Sequence, residues 1–231
     1  MGMIEIDGLT SDRVWDWENG YFWFSHPSRI HKFLAHYELY QMILNLPGDV
    51  VEMGVFKAAS MIRWATFRQL LENSHSRRIV GFDTFDEFPR KGVTLDVDLD
   101  YIEGFSARAG RALSKSQAEE LFLRKGFENI ELLEGNVMDT LPPFVQKNPA
   151  CRIALLHLDL NVKEPTEFVL EALYDRVVPG GLIVIDDYTS VVGATEAVDD
   201  LVADKGLEIE KLSFHSVPAF IRKPKPDFEE L

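Results

Sequence analysis

Short apolar runs alternate with longer segments of helical spacing, and this alternation restricts the fold more than any other feature of the chain. The runs at Asp49–Met53, Arg78–Asp83, Ile130–Glu134, Arg152–Leu158 and Leu182–Ile185 read as buried strands. Helices are predicted over 27–45, 58–73, 116–125, 166–177 and 195–205, with two further strands at 207–212 and 217–222. Residues 137–144 read as a turn and a short helix broken by Pro142 and Pro143. Strands alternating with helices predict an α/β fold, a mainly parallel twisted sheet with helices on both faces. Ligands of such sheets bind at the carboxyl ends of the strands, so the chemistry is sought there.

Three stretches fall outside the alternation. Residues 1–45 combine a helix with an arm bearing Trp15, Trp17, Tyr21, Phe22, Trp23 and Phe24. That arm is a cap, a contact for a second copy of the chain, or a helix on the core edge. Within the domain at 46–222, residues 86–113 are charged and irregular and read as a lid-like loop. From Lys223 to 231 the tail is polar.

Composition narrows the partners. Lysine plus arginine is 24 against 38 aspartate plus glutamate, a formal charge of −14, which argues against nucleic acid or an anionic membrane as the main partner. The single cysteine, Cys151, allows no intrachain disulfide, which fits a reducing, cytoplasmic compartment. No apolar run is long enough for a membrane span, and the N-terminus does not read as a signal peptide.

The strand ends carry the candidate chemistry. The first ends at Glu52-Met53-Gly54, where glycine permits close approach of backbone to a ligand. Val55 and Phe56 follow, and a helix starting near Ala58-Ala59-Ser60 offers free N–H groups to a carboxylate or phosphate. The second ends at Asp83, which either accepts hydrogen bonds from both ribose hydroxyls or serves its own turn. The third leads into Gly135-Asn136-Val137, an adenine-reading segment or an ordinary turn. The fourth and fifth end at Asp159 and at Asp186-Asp187. Acids clustered there would repel one another unless a cation offsets them, and oxygen ligands in that number suit Mg²⁺ or Ca²⁺. The alternative is that they cap a turn or helix. His157 is a hydrogen-bonded core histidine or a catalytic group.

These runs together resemble the macrocin O-methyltransferase-like family, which methylates sugar hydroxyls of macrolides and related natural products or their nucleotide-activated precursors. The resemblance lies in Leu46-Pro47-Gly48-Asp49-Val50-Val51-Glu52-Met53-Gly54-Val55-Phe56 and in Gly81-Phe82-Asp83-Thr84-Phe85-Asp86-Glu87-Phe88-Pro89. It continues in Asp139-Thr140-Leu141-Pro142 and in Pro179-Gly180-Gly181 through Asp186-Asp187-Tyr188. It implies a Rossmann-like class I methyltransferase fold, S-adenosylmethionine and a Mg²⁺ ion. It assigns Asp159, Asp186 and Asp187 to the metal, and Glu52, Gly54 and Ser60 to the methionine side of the cofactor. Asp83 falls to the ribose, and Asn136 with Val137 to the adenine. Two departures stand out. Ala58-Ala59 replaces the family's Gly-Gly, and Leu160-Asn161-Val162-Lys163 replaces its G-D-x-Y.

The expected reaction is in-line methyl transfer to a hydroxyl of a small molecule, with Asp159, Lys163 and His157 as candidate bases in that order. Two other readings stay open: an NAD(P)-dependent oxidoreductase, and a methyltransferase-fold binding protein of weakened activity. The first lacks G-x-G-x-x-G after the first strand, where the chain reads Gly54-Val55-Phe56-Lys57-Ala58-Ala59.

Overall fold

The computed structural model describes residues 2–225, so most of the polar tail lies outside the described residues. A small antiparallel pair, β1 (Glu5–Ile6) and β2 (Leu9–Thr10), precedes α1 (Val14–Phe24) and α2 (Ser28–Met42). The main unit then runs β3 (Asp49–Met53), α3 (Ala59–Leu71), β4 (Ile79–Asp83), α4 (Asp96–Ala109), α5 (Lys115–Arg124) and β5 (Ile130–Glu134). It continues with α6 (Val137–Lys147), β6 (Ile153–Leu158), α7 (Lys163–Leu173), β7 (Val177–Ile185), α8 (Val192–Lys205), β8 (Ile209–Leu212) and β9 (His215–Arg222).

The strands form one sheet in the order β5-β4-β3-β6-β7-β9-β8. The pairs from β5 to β7 are parallel, and β9 runs antiparallel to both β7 and β8. The expected α/β fold with a mainly parallel sheet is therefore what the chain adopts. Strand order reverses between β3 and β6, which opens a crevice at their carboxyl ends.

Alternate strand residues feed two cores. Val50, Leu155 and Val184 pack with Leu39, Trp64 and Phe122 from α2, α3 and α5. Val51, Leu156 and Ile183 pack on the other face with Leu141, Val169 and Val198 from α6, α7 and α8. A fully buried side chain of this size contributes roughly 1.5–3 kcal/mol, so strand register and helix docking are set by both faces at once. No helix among the described residues is long and apolar enough to cross a membrane.

Four expectations are corrected. Residues 86–113 are no irregular loop, because they hold the fourteen-residue α4. Its acids Asp96 and Asp98 fall in the first turn, where the helix dipole favours negative charge. Asp98 is fully buried and accepts the backbone N–H groups of Lys163 and Gly193, which docks α4 onto α7 and α8. Second, α6 runs through Pro142 and Pro143. Both prolines lie on its exposed side, where water can serve the carbonyls they leave without a donor. Third, β7 begins before Pro179-Gly180-Gly181, with an irregularity in its pairing to β6. Finally, α1 buries none of its residues, and Trp15, Trp23 and Phe24 are exposed, so it is not a helix packed on the core edge.

Candidate active site

A cavity of about 650 Å³ opens at the carboxyl ends of the parallel strands. Its back wall is the loop after β3. Gly54 has φ +93, and a Cβ added there would lie 2.1 Å from the Asp159 carbonyl oxygen. The glycine is thus required by the neighbouring strand end as well as by any ligand. Phe56 and Ala58 also take positive φ, 49 and 57. A left-handed alanine costs roughly 1–2 kcal/mol, which is the physical meaning of the departure from Gly-Gly: the loop keeps a glycine-type conformation without glycine.

Asp83 borders the cavity, but its carboxylate is engaged by its own backbone. One oxygen accepts the N–H groups of Val55 and Phe56 at 2.8 Å each, and the other accepts that of Phe85 at 2.7 Å. It clamps the β3 loop to the end of β4, a positioning role that the turn reading anticipated, and it keeps a place on the cavity lining. Glu52 does not reach the cavity. It is fully buried, accepting from the Ser60 hydroxyl and the Trp64 indole at 2.8 Å each and facing His157 Nδ1 at 3.1 Å. It therefore anchors the site from behind, while Gly54, Val55, Phe56 and Ser60 line the cavity.

Gly135, Asn136 and Val137 also line the cavity. Asn136 Oδ1 caps α6 by accepting the Met138 N–H at 2.9 Å. The oxygen of the amide expected to read adenine is thus occupied with starting a helix, while its Nδ2 lies 3.5 Å from the Lys91 carbonyl oxygen.

The acids converge as expected. Oxygens of Asp159, Asp186 and Asp187 lie within 4.8 Å of one another. Asp186 Oδ2 pairs with Lys32 at 2.5 Å, and Oδ1 faces His157 Nε2 at 3.5 Å and His36 Nε2 at 3.8 Å. Burial would push the Asp186 carboxyl up, but His157, His36 and Lys32 hold it well below the usual carboxylate range. Burial, then the charges of Asp186 and Asp187, raise Asp159. Burial and the Asp186 charge push Asp187 up to about 6. Asp186 Oδ1 and Asp187 Oδ2 are buried without hydrogen-bond partners. Three close carboxylates, two of them with unsatisfied oxygens, fit a hard divalent cation.

The candidate bases separate. Asp159 lines the cavity. His157 is fully buried between Glu52 and Asp186 and does not line the cavity. Opposing the desolvation of burial, the facing carboxylates of Asp186 and Glu52 lift it to about 10. Lys163 points away from the cavity to Glu196, Asp200 and Glu167. Glu196 first, then Asp200, raise its pKa further, so it stays protonated and the expectation of a lysine base is corrected.

Several cavity residues escaped the sequence reading. Lys32 comes from α2. Tyr101 comes from α4 and donates its hydroxyl to Asn161 Oδ1 at 2.9 Å. Arg29 and Arg63 stand on α2 and α3. The polar spacing of Arg29 and Lys32 along one helix face was the only available signal.

Comparison with known proteins agrees with this geometry. The model of the family described as Macrocin-O-methyltransferase (TylF) matches residues 29–223. An 8-demethyl-8-(2,3-dimethoxy-alpha-L-rhamnosyl)-tetracenomycin-C 4'-O-methyltransferase of Streptomyces olivaceus is 31% identical over 164 residues, covering 69% of this chain and 58% of that protein. The demethyldecarbamoylnovobiocin O-methyltransferase of Streptomyces niveus is 28% identical over 185 residues, 72% of this chain and 64% of its own length. The match thus spans about three fifths of these curated relatives. A solved calicheamicin methyltransferase superposes with a TM-score of 0.73 at 25% identity, covering 92% of this chain and 86% of its own.

Proposed function

We infer that this chain, which belongs to the Macrocin-O-methyltransferase (TylF) family, transfers the methyl group of S-adenosylmethionine to a hydroxyl of a sugar or other small natural-product acceptor. The observation that carries the reading is the meeting, in one cavity, of the strained β3 loop with the Asp159-Asp186-Asp187 floor. S-adenosylmethionine supplies an electrophilic methyl group on sulfur. The chain's own task is to hold the acceptor oxygen in line with that group and to accept its proton.

Asp159 is the base we assign. It faces the cavity, and burial with two neighbouring carboxylates raises its proton affinity well above that of an ordinary carboxylate. Asp83 at the cavity edge holds the Val55 and Phe56 amides, and Glu52 behind the wall fixes Ser60, Trp64 and His157. We further propose that Asp159, Asp186 and Asp187 hold Mg²⁺, which when bound lowers the pKa of a coordinated hydroxyl.

Calorimetric titration separates this reading from the oxidoreductase one. S-adenosylmethionine and S-adenosylhomocysteine are expected to bind with micromolar affinity and NADH not at all. Binding of NADH with no heat from either sulfur ligand would overturn it.

A further inference from the structure

Two groups of residues suited to a metal ion meet among the described residues, and only one is the acid trio. The other lies behind it. His36 from α2, His157 from β6 and Asp186 after β7 bring two ring nitrogens and a carboxylate oxygen within 4.8 Å of one another. All three side chains are buried, the two histidines completely. Methyl transfer as described above gives His36 no task.

The fold leaves the polar atoms of this cluster over. His36 Nδ1 and Nε2, His157 Nε2 and Asp186 Oδ1 have no hydrogen-bond partner among the described residues, although buried polar atoms are nearly always paired. Asp186 Oδ1 stands 3.5 Å from His157 Nε2 and 3.8 Å from His36 Nε2. These separations are long for hydrogen bonds. They are near those of ligand atoms around one tetrahedral ion, which at bond lengths of about 2.0–2.2 Å lie roughly 3.4 Å apart.

The rings are also oriented from behind. His157 Nδ1 faces Glu52 Oε2 at 3.1 Å, and Glu52 is itself held by Ser60 and Trp64. A carboxylate behind the ring directs the opposite nitrogen forward, as metal-ligating histidines require. His36 stacks on Trp64 with ring centroids 4.4 Å apart, which fixes its plane. Two imidazoles and one carboxylate suit a borderline transition ion better than Mg²⁺, which takes oxygen ligands.

We propose that His36, His157 and Asp186 form a second cation site, for a transition ion of the Zn²⁺ class, with Asp186 shared between this site and the acid trio. In the metal-free chain a proton between His157 and Asp186 holds the place that the ion takes. The ion enters from the cavity past Lys32 and Asp186, which line it. Once bound, it ties α2 to the ends of β6 and β7 and fixes Asp186 from behind.

The test is calorimetry of the full chain, stripped with EDTA, supplied with excess Mg²⁺ to fill the acid trio and titrated with Zn²⁺. One Zn²⁺ per chain is expected to bind. His36→Gln should weaken it on the order of 100-fold, while Asp187→Asn and His31→Gln change it less than about twofold. His31 is exposed and lies beside His215, so its variant is the control for adventitious binding at the surface. X-ray absorption of the unaltered chain loaded with Co²⁺ should show two imidazole nitrogens on the ion, and it decides the matter even if His36→Gln perturbs folding. Absence of Zn²⁺ binding overturns the site, as does binding that a folded His36→Gln leaves unchanged or a cobalt shell of oxygens alone. An equal loss in Asp187→Asn overturns it by putting the ion in the acid trio, and a loss in His31→Gln by putting it on the surface. Every readout is metal binding alone, so the site stands or falls separately from methyl transfer.

Discussion

Replacing Asp187 with alanine is expected to lower the turnover of methyl transfer by about 10³-fold or more, with no loss of thermal stability in metal-free buffer. The two halves of this expectation have one cause. Asp187 Oδ2 accepts no hydrogen bond from the protein, so its removal strands no donor. Burial and Asp186 raise its pKa to about 6, so at neutral pH the folded chain holds this charge at a cost of roughly 3 kcal/mol. Stabilising charge at the acceptor oxygen is worth several kcal/mol, and each 1.4 kcal/mol is tenfold in rate. Turnover and melting temperature of wild type and Asp187→Ala, with Mg²⁺ and with EDTA, check this. Full activity in the variant removes Asp187 from the chemistry. A melting temperature lowered by many degrees makes it a structural residue.

His157→Ala is expected to destabilise the fold by about 3–5 kcal/mol, because it leaves the buried carboxylates of Glu52 and Asp186 without the imidazolium between them. The pH dependence follows from the same contacts. His157 is raised from 6.5 to about 10 in the folded chain. Its contribution is therefore whole below the unfolded value of about 6.5 and is lost as pH rises through about 10. Urea unfolding of the wild type should show stability falling between pH 7 and 10, and His157→Gln should flatten that slope. Equal slopes in the two proteins would mean that His157 is neutral when folded.

Much of the sheet was legible because its strands are short apolar runs. β3 and β5 begin and end where those runs do, and β4 and β6 differ by a single residue. α4 was not legible, because its acids look like a solvated loop until Asp98 is seen to hold two backbone amides from distant elements. The same limit governs the site. Glu52, Asp83 and Asn136 have residue types suited to a cofactor, and the oxygens of all three accept hydrogen bonds from the protein itself. Sequence identifies a donor or acceptor, whereas tertiary packing decides which partner reaches it first. The acid trio was readable because each member ends a strand and the parallel topology brings strand ends together. Lys32, Arg29 and Arg63 were hidden because they stand on helices that flank the sheet, and only the packed fold turns them toward the cavity.

The most direct measurement is incubation of the full chain with methyl-¹³C-labelled S-adenosylmethionine and a set of nucleoside-diphosphate sugars and glycosylated natural products, read by mass spectrometry and NMR. The expected result is a labelled O-methyl carbon on one acceptor with an equal amount of S-adenosylhomocysteine, suppressed by EDTA and restored by Mg²⁺. Binding of S-adenosylmethionine with no label on any acceptor oxygen, or label transferred to nitrogen or carbon instead, contradicts O-methyl transfer at this site.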